Sequence, residues 1–309
     1  MGKHLGLGSL FALLTACIVA FWALPDLLDI YRASATGTLG ARFSFGVGWG
    51  AGSLLFGLGV SYVGVGLGIT LILGLTACIG SMLPLLIQHP DRILQPGGLA
   101  LMIGLALMIA GLSLLGIAGH KRDSDLGKQS GMAGKPFLMG LLLCLGSGLL
   151  SPLANFAVVF GTPLAQEAVR RHGVGFAAST APWALAFAGC FGLNIVYCGY
   201  LAIVRDSARK FRLPGTWVYW LGAFLLGALW VGAMLVYGWG ALKIGEWGPY
   251  LGFPLFMINS IVFANLWGAA LGEWRGTSAA TKKVLFFGLA LLLVAFTVFG
   301  FANRLIAHG

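Results

Sequence analysis

Apolar residues run along this chain in blocks of membrane length, separated by short polar or charged stretches. A hydrocarbon core about 30 Å thick needs roughly 20 apolar residues at a helical rise of about 1.5 Å each. Nine stretches meet that length: 6–24, 43–63, 66–87, 97–119, 136–162, 174–204, 215–241, 249–272 and 284–303. The second and third abut with no charge between Phe43 and Gln88, a run too long for one crossing. The glycines in Gly64-Val65-Gly66-Leu67-Gly68 suit a tight return, so the run is predicted to break there. The long runs 136–162 and 174–204 are expected to include tilted or interfacial turns. The first run has no small-x-small cleavage site before Pro25, so it reads as a membrane helix rather than a signal peptide.

Composition settles the solvent. Hydrophobic residues make up 59% and charged residues 9%, with a mean hydropathy of +0.93. A soluble domain carries about 25% charged residues to cover its surface. The fold class is therefore an all-α polytopic membrane protein, and its 49 glycines fit helices that pack closely through small residues. The five cysteines, Cys17, Cys78, Cys144, Cys190 and Cys198, lie in apolar runs without a CxxC pair and read as small apolar residues.

The net charge of +10 sits in loops between spans, which fits a membrane better than a nucleic-acid partner. Twelve of the nineteen basic residues fall on one side: Lys3, Lys121, Arg122, Lys128, Lys135, Arg205, Arg209, Lys210, Arg212, Arg275, Lys282 and Lys283. Arg32, Arg42, Arg92, Arg170, Arg171, Lys243 and Arg304 fall on the other. The positive-inside rule then predicts a cytoplasmic N-terminus and a periplasmic C-terminus in a cell inner membrane.

The hydrophilic stretch 120–135 leaves four spans before it and five after. Transporters are often built from two structural repeats. The expected organisation is a first repeat over 1–119, a cytoplasmic linker over 120–135 and a second repeat over 136–309. On that plan the chain is a 5+5 arrangement lacking its first helix; a true nine-helix design is the alternative.

Every acidic residue and every histidine falls in a loop or at a span end in this reading, and no Lys or Arg sits at mid-membrane. A proton-pump or antiporter core is disfavoured, since intramembrane ionisable groups usually mark such paths. Metal-dependent transferases, HExxH proteases and phosphate-loop enzymes are disfavoured too, because their motifs are absent. No metal, cofactor or enzymatic activity is expected.

Neutral polarity remains within the spans, carried by hydroxyls, asparagines and aromatic rings. A buried amide is costly unless paired, so each asparagine needs a partner. Helix–helix hydrogen bonding is one role for it. As a set, amides, hydroxyls and rings suit a pocket for a neutral polyol. Asn259 and Asn265 are six apart on one helix and cannot both face one pocket squarely. Tyr237 and Trp239, near a helix end, fit either an interfacial belt or a site.

At these residues a family resemblance emerges. Phe45-Gly46-Val47-Gly48-Trp49-Gly50-Ala51-Gly52, Tyr62-Val63-Gly64 and Gly68-Ile69-Thr70-Leu71-Ile72-Leu73-Gly74 resemble the L-rhamnose–proton symporter family of the drug/metabolite transporter superfamily. The likeness returns at Asn194, at Trp230 and in Tyr237-Gly238-Trp239-Gly240-Ala241-Leu242-Lys243-Ile244. It ends in Gly272-Glu273-Trp274 and Gly300-Phe301-Ala302-Asn303, so it covers nearly the whole chain in order. The resemblance implies ten helices in two five-helix halves, an outward C-terminus and proton-coupled sugar import. The chain departs from the family at Ser53, Leu55 and Ser61, where the symporter carries amides and a basic group. The nearest titratable candidates for proton coupling are Asp26, Glu246 and Glu273 at span ends.

The expectation is a secondary transporter importing a small neutral sugar, L-rhamnose, with proton symport by alternating access. Trp49, Asn155, Asn194, Trp230 and Asn259 are expected to line the substrate site, the amides supplying hydrogen bonds and the tryptophans a ring surface. The rival readings are a permease or exporter of another metabolite on the same fold, and a non-transporting paralogue or sensor.

Overall fold

The computed structural model describes residues 2–127, 135–205 and 215–307. Lys128, Arg209, Lys210 and Arg212, used above for orientation, lie outside them, as do Asp206 and residues 128–134 of the linker. The described residues form α1 (Gly2–Ala23), α2 (Leu27–Arg32), α3 (Thr36–Val63), α4 (Val65–Gln88), α5 (Pro96–Asp125) and α6 (Lys135–Leu150). They continue as α7 (Leu153–Val159), α8 (Thr162–His172), α9 (Phe176–Val204), α10 (Trp217–Ile244), α11 (Gly248–Ala270) and α12 (Ala279–Ala307).

Among the described residues, eight helical spans are long and apolar enough to cross a membrane, and Gly8–Ala23 of α1 is a shorter apolar one. Large apolar side chains such as Val196, Leu229, Phe263 and Trp267 stand exposed along these helices. Water would not tolerate so much exposed apolar side chain, whereas acyl chains are its natural solvent. The protein is a multi-pass membrane protein.

The charge-free run breaks at Gly64, where the predicted return lies. Its φ of 91° is left-handed, a conformation that only glycine adopts without strain, and α3 ends there as α4 begins. The run 136–162 also breaks as expected, at Ser151-Pro152, with the short α7 and then the amphipathic α8 beyond it. In contrast, 174–204 is one helix, α9, with Pro182 inside it.

One boundary differs materially. The sequence places Arg42 in a loop ahead of a span starting at Phe43, yet α3 starts at Thr36 and Arg42 is fully buried within it.

The chain forms two compact units, each drawing helices from both sides of the linker. The first comprises Met1–Ala51 and Leu153–Lys243. Here α1 packs on α9 and presents Ala12, Ala16 and Ala20, all buried, at four-residue spacing. Small residues at that spacing let helix backbones approach. Between α3 and α9 the approach is closer still. A Cβ on Gly46 would stand 2.2 Å from the Ala186 carbonyl oxygen, and one on Gly50 would stand 2.7 Å from that of Cys190. Ala20 continues into an apolar layer in which Leu24, Leu27 and Ile30 pack with Leu164, Ala168, Ala178 and Ala181. At its edge Asp26 receives Arg171 at 3.1 Å and His172 at 2.7 Å.

The second unit comprises Gly52–Pro152 and Ile244–Gly309. Its central feature is the pairing of α5 with α12, where Gly104 faces the Phe299 ring and Gly111 faces Leu292. The Thr70 hydroxyl donates to the carbonyls of Gly66 and Leu112, both at 2.9 Å, and so links α4 to α5. Polar contacts secure the helix ends: Arg92 meets Glu246 at 2.8 Å, and Asp125 accepts from the Ser278 amide at 2.8 Å and the Thr281 hydroxyl at 2.7 Å.

Candidate functional site

The glycine-mediated crossing of α3 and α9 carries Trp49 onto an aromatic stripe of α9. Trp183, Phe187, Phe191 and Asn194 fall within about 80° of arc on that helix at 3.6 residues per turn. All four are buried. The Trp49 ring lies 6.2 Å from Trp183, 6.0 Å from Phe187 and 6.3 Å from Phe191, centroid to centroid. Along α9 the rings themselves stack, at 5.3 Å for Trp183–Phe187 and again for Phe187–Phe191.

From α10, Trp230 stacks on Trp49 at 6.5 Å with an interplanar angle of 27°. Trp49 is only 6% exposed, whereas Trp230 is 45% exposed, so the pair runs from the interior to an accessible ring. Two turns further along α10, Tyr237 packs edge-on against Trp183 at 6.1 Å. Its hydroxyl donates to the Asn155 amide oxygen. Both residues are buried, and their pairing answers the desolvation cost of an amide in an apolar interior.

The result is a continuous run, Trp230–Trp49–Trp183–Tyr237–Asn155, within one compact unit. Of the five expected lining residues, Trp49, Trp230, Asn155 and Asn194 all belong to this unit, Asn194 2% exposed on the aromatic side of α9. Asn259 belongs to the second unit, where it is exposed and its amide nitrogen donates to the Leu255 carbonyl at 3.2 Å.

Three participants go beyond the expected five: Trp183 and Phe187, whose spacing of four residues puts them on one face of α9, and Tyr237, for which a site role was one of two readings. Tyr237 belongs to the interior rather than to a belt, while Trp239 is partly exposed with the Lys243 ammonium 4.4 Å above its ring.

Chemically the cluster is neutral: rings that offer an apolar face, with amide and phenol groups that exchange hydrogen bonds. Charge gathers elsewhere in the unit, around Asp26. Burial there opposes ionisation, but hydrogen bonds from His172 and Arg171 outweigh it and hold the carboxyl below the usual range. Among the described residues, no three His, Cys, Asp or Glu side chains gather where a metal ion would sit.

Comparison with known proteins gives this arrangement its context. Residues 4–304 match the family model described as L-rhamnose-proton symport protein. An L-rhamnose-proton symporter of Yersinia pestis (strain Pestoides F) is 26% identical over 292 residues, covering 91% of this chain and 83% of the relative. The L-rhamnose-proton symporter of Mannheimia succiniciproducens is 25% identical over 294 residues with the same coverage. No solved structure matches. A match over nearly the whole length, on a chain of apolar membrane-length helices, places the protein in the L-rhamnose-proton symport protein family, a family of transporters rather than enzymes.

Proposed function

We propose that this protein imports L-rhamnose together with protons across a cell inner membrane by alternating access. The observation that carries the reading is the full-length family match joined to an aromatic-and-amide run in one unit. L-Rhamnose is uncharged, with hydroxyls around its ring and a methyl group, so it asks for what the cluster offers. The Asn155 and Asn194 amides serve the hydroxyls, and the Trp49–Trp230 stack serves the less polar face. Asn259, exposed on its own unit, is a further candidate lining residue.

The N-terminus lies in the cytoplasm and the C-terminus in the periplasm, on the twelve-to-seven split of basic residues. The segments 1–119 and 136–309 are the two repeats of the transport fold.

Uptake of labelled L-rhamnose by proteoliposomes, with and without an inward pH gradient, tests the reading. Accumulation only with the gradient supports it. Uptake indifferent to the gradient removes the proton, and no uptake of the sugar removes the substrate.

A further inference from the structure

Arg42 is the only charged side chain that is buried among the described residues, and its exposure is 0%. Its Nη2 donates to the Phe160 carbonyl at 3.2 Å, while Nε and Nη1 have no hydrogen-bond partner. Among the described residues no carboxylate lies within ion-pair distance of it. A buried ion without a counter-charge is strongly unfavourable, and an apolar side chain of similar volume often packs better.

The guanidinium's electrostatic partner is instead the end of a helix. Phe160 follows the last residue of α7, and its carbonyl oxygen, partially negative, is the acceptor that faces the guanidinium. Gly161 brings the parties together. A Cβ there would lie 2.2 Å from the Ala157 oxygen, 2.8 Å from the Val158 oxygen and 3.1 Å from Arg42 Nε. Carbonyls of the last turn of α7 and the guanidinium thus converge on one point that only glycine leaves open. One turn along α3, Phe45 grips the same helix, edge-on to Phe156 at 6.0 Å and 5.8 Å from Phe160. What α7 carries in turn is Asn155, whose amide oxygen accepts from Tyr237.

We propose that Arg42 is a positioning residue for sugar transport: it holds the C-terminal turn of α7 and thereby fixes Asn155 against Tyr237. The proposal rests on the reading of Asn155 as part of the sugar site. It accounts for a charge that stability alone does not favour.

The test compares wild type, Arg42→Met and Arg42→Lys as purified full-length protein, by equilibrium binding of labelled L-rhamnose, thermal midpoint, and amide hydrogen exchange over 153–161. Arg42→Met is expected to keep or raise the midpoint, to speed exchange in α7, and to weaken sugar binding about tenfold, the scale of one charge-assisted hydrogen bond. Arg42→Lys, which retains a cation and donors, recovers part of the affinity. Wild-type affinity in Arg42→Met overturns the proposal. So does a parallel collapse of midpoint and affinity that Arg42→Lys fails to relieve, since that marks a merely structural role. If the wild type binds no L-rhamnose, the sugar reading fails. The hold on α7 is then judged by exchange alone, and unchanged exchange in Arg42→Met overturns it.

Discussion

The Tyr237 hydroxyl donates to the Asn155 amide oxygen, tying α10 to α7 across 82 residues of sequence. Removing only the donor takes one hydrogen bond from a buried amide, and a lost hydrogen bond in an apolar interior costs about 1–3 kcal/mol. Tyr237→Phe is therefore expected to lower the thermal midpoint, and Tyr237→Phe with Asn155→Leu to lower it by less than the sum of the two single substitutions. Sugar uptake per molecule should stay low in the double variant, because the polar groups are gone. Wild-type uptake per molecule in the double variant would mean that the pair is structural only.

The Trp49–Trp230 stack separates packing from recognition in a different way. Trp49 is buried, so Trp49→Ala opens a cavity and costs about 3–5 kcal/mol of stability. Trp230 is 45% exposed and loses far less on truncation. Trp230→Ala is expected to melt within a few degrees of wild type while L-rhamnose affinity falls several-fold. A wild-type affinity in that variant would remove Trp230 from the site.

Acid sensitivity should trace to Asp26. Its carboxyl titrates below the usual range in the folded protein because His172 and Arg171 bond to it against the opposing effect of burial. A carboxyl depressed by folding contributes stability above its unfolded value, about 3.9, and that contribution fades as pH falls through the lower, folded value. Asp26→Asn should accordingly melt lower than wild type at pH 6, with the gap narrowing towards pH 3. A gap independent of pH would assign the loss to packing at the α1–α2 turn instead.

How far this architecture can be read from sequence depends on where the determinant lies. The Gly64 break was legible, because a charge-free run longer than one crossing must turn somewhere and glycine tolerates the required φ. The interruption of 136–162 was legible from length alone, though not its place at Ser151-Pro152. Arg42 was not: a charge at the edge of an apolar window reads as loop, and only the distant α7–α8 junction supplies the carbonyl that allows it inside. The aromatic stripe of α9 was muted because that helix is apolar on nearly every side, so helical periodicity has little contrast. Tyr237 required knowledge of Asn155. In lipid-solvated helices polarity marks partners as much as surfaces, and partners remote in sequence leave no local pattern.

The close crossing of α3 on α9 makes a final, matched prediction about two glycines. At Gly46 an added Cβ would meet the Ala186 carbonyl oxygen at 2.2 Å, and backbone cannot swing aside as a side chain would. Gly46→Ala must therefore push the helices apart at the level where Trp49 meets Trp183 and Phe187, and both stability and sugar uptake should fall. Gly192 lies on α9 itself, and a Cβ there meets nothing within 4 Å. Alanine at that position gains helix propensity, up to about 1 kcal/mol, and disturbs no contact. Gly192→Ala is thus expected to match or exceed wild type in thermal midpoint and to retain full uptake. Measuring both variants side by side isolates the close approach from any general intolerance of larger residues in these helices. Equal tolerance of the two substitutions would mean that the α3–α9 crossing does not set the aromatic site.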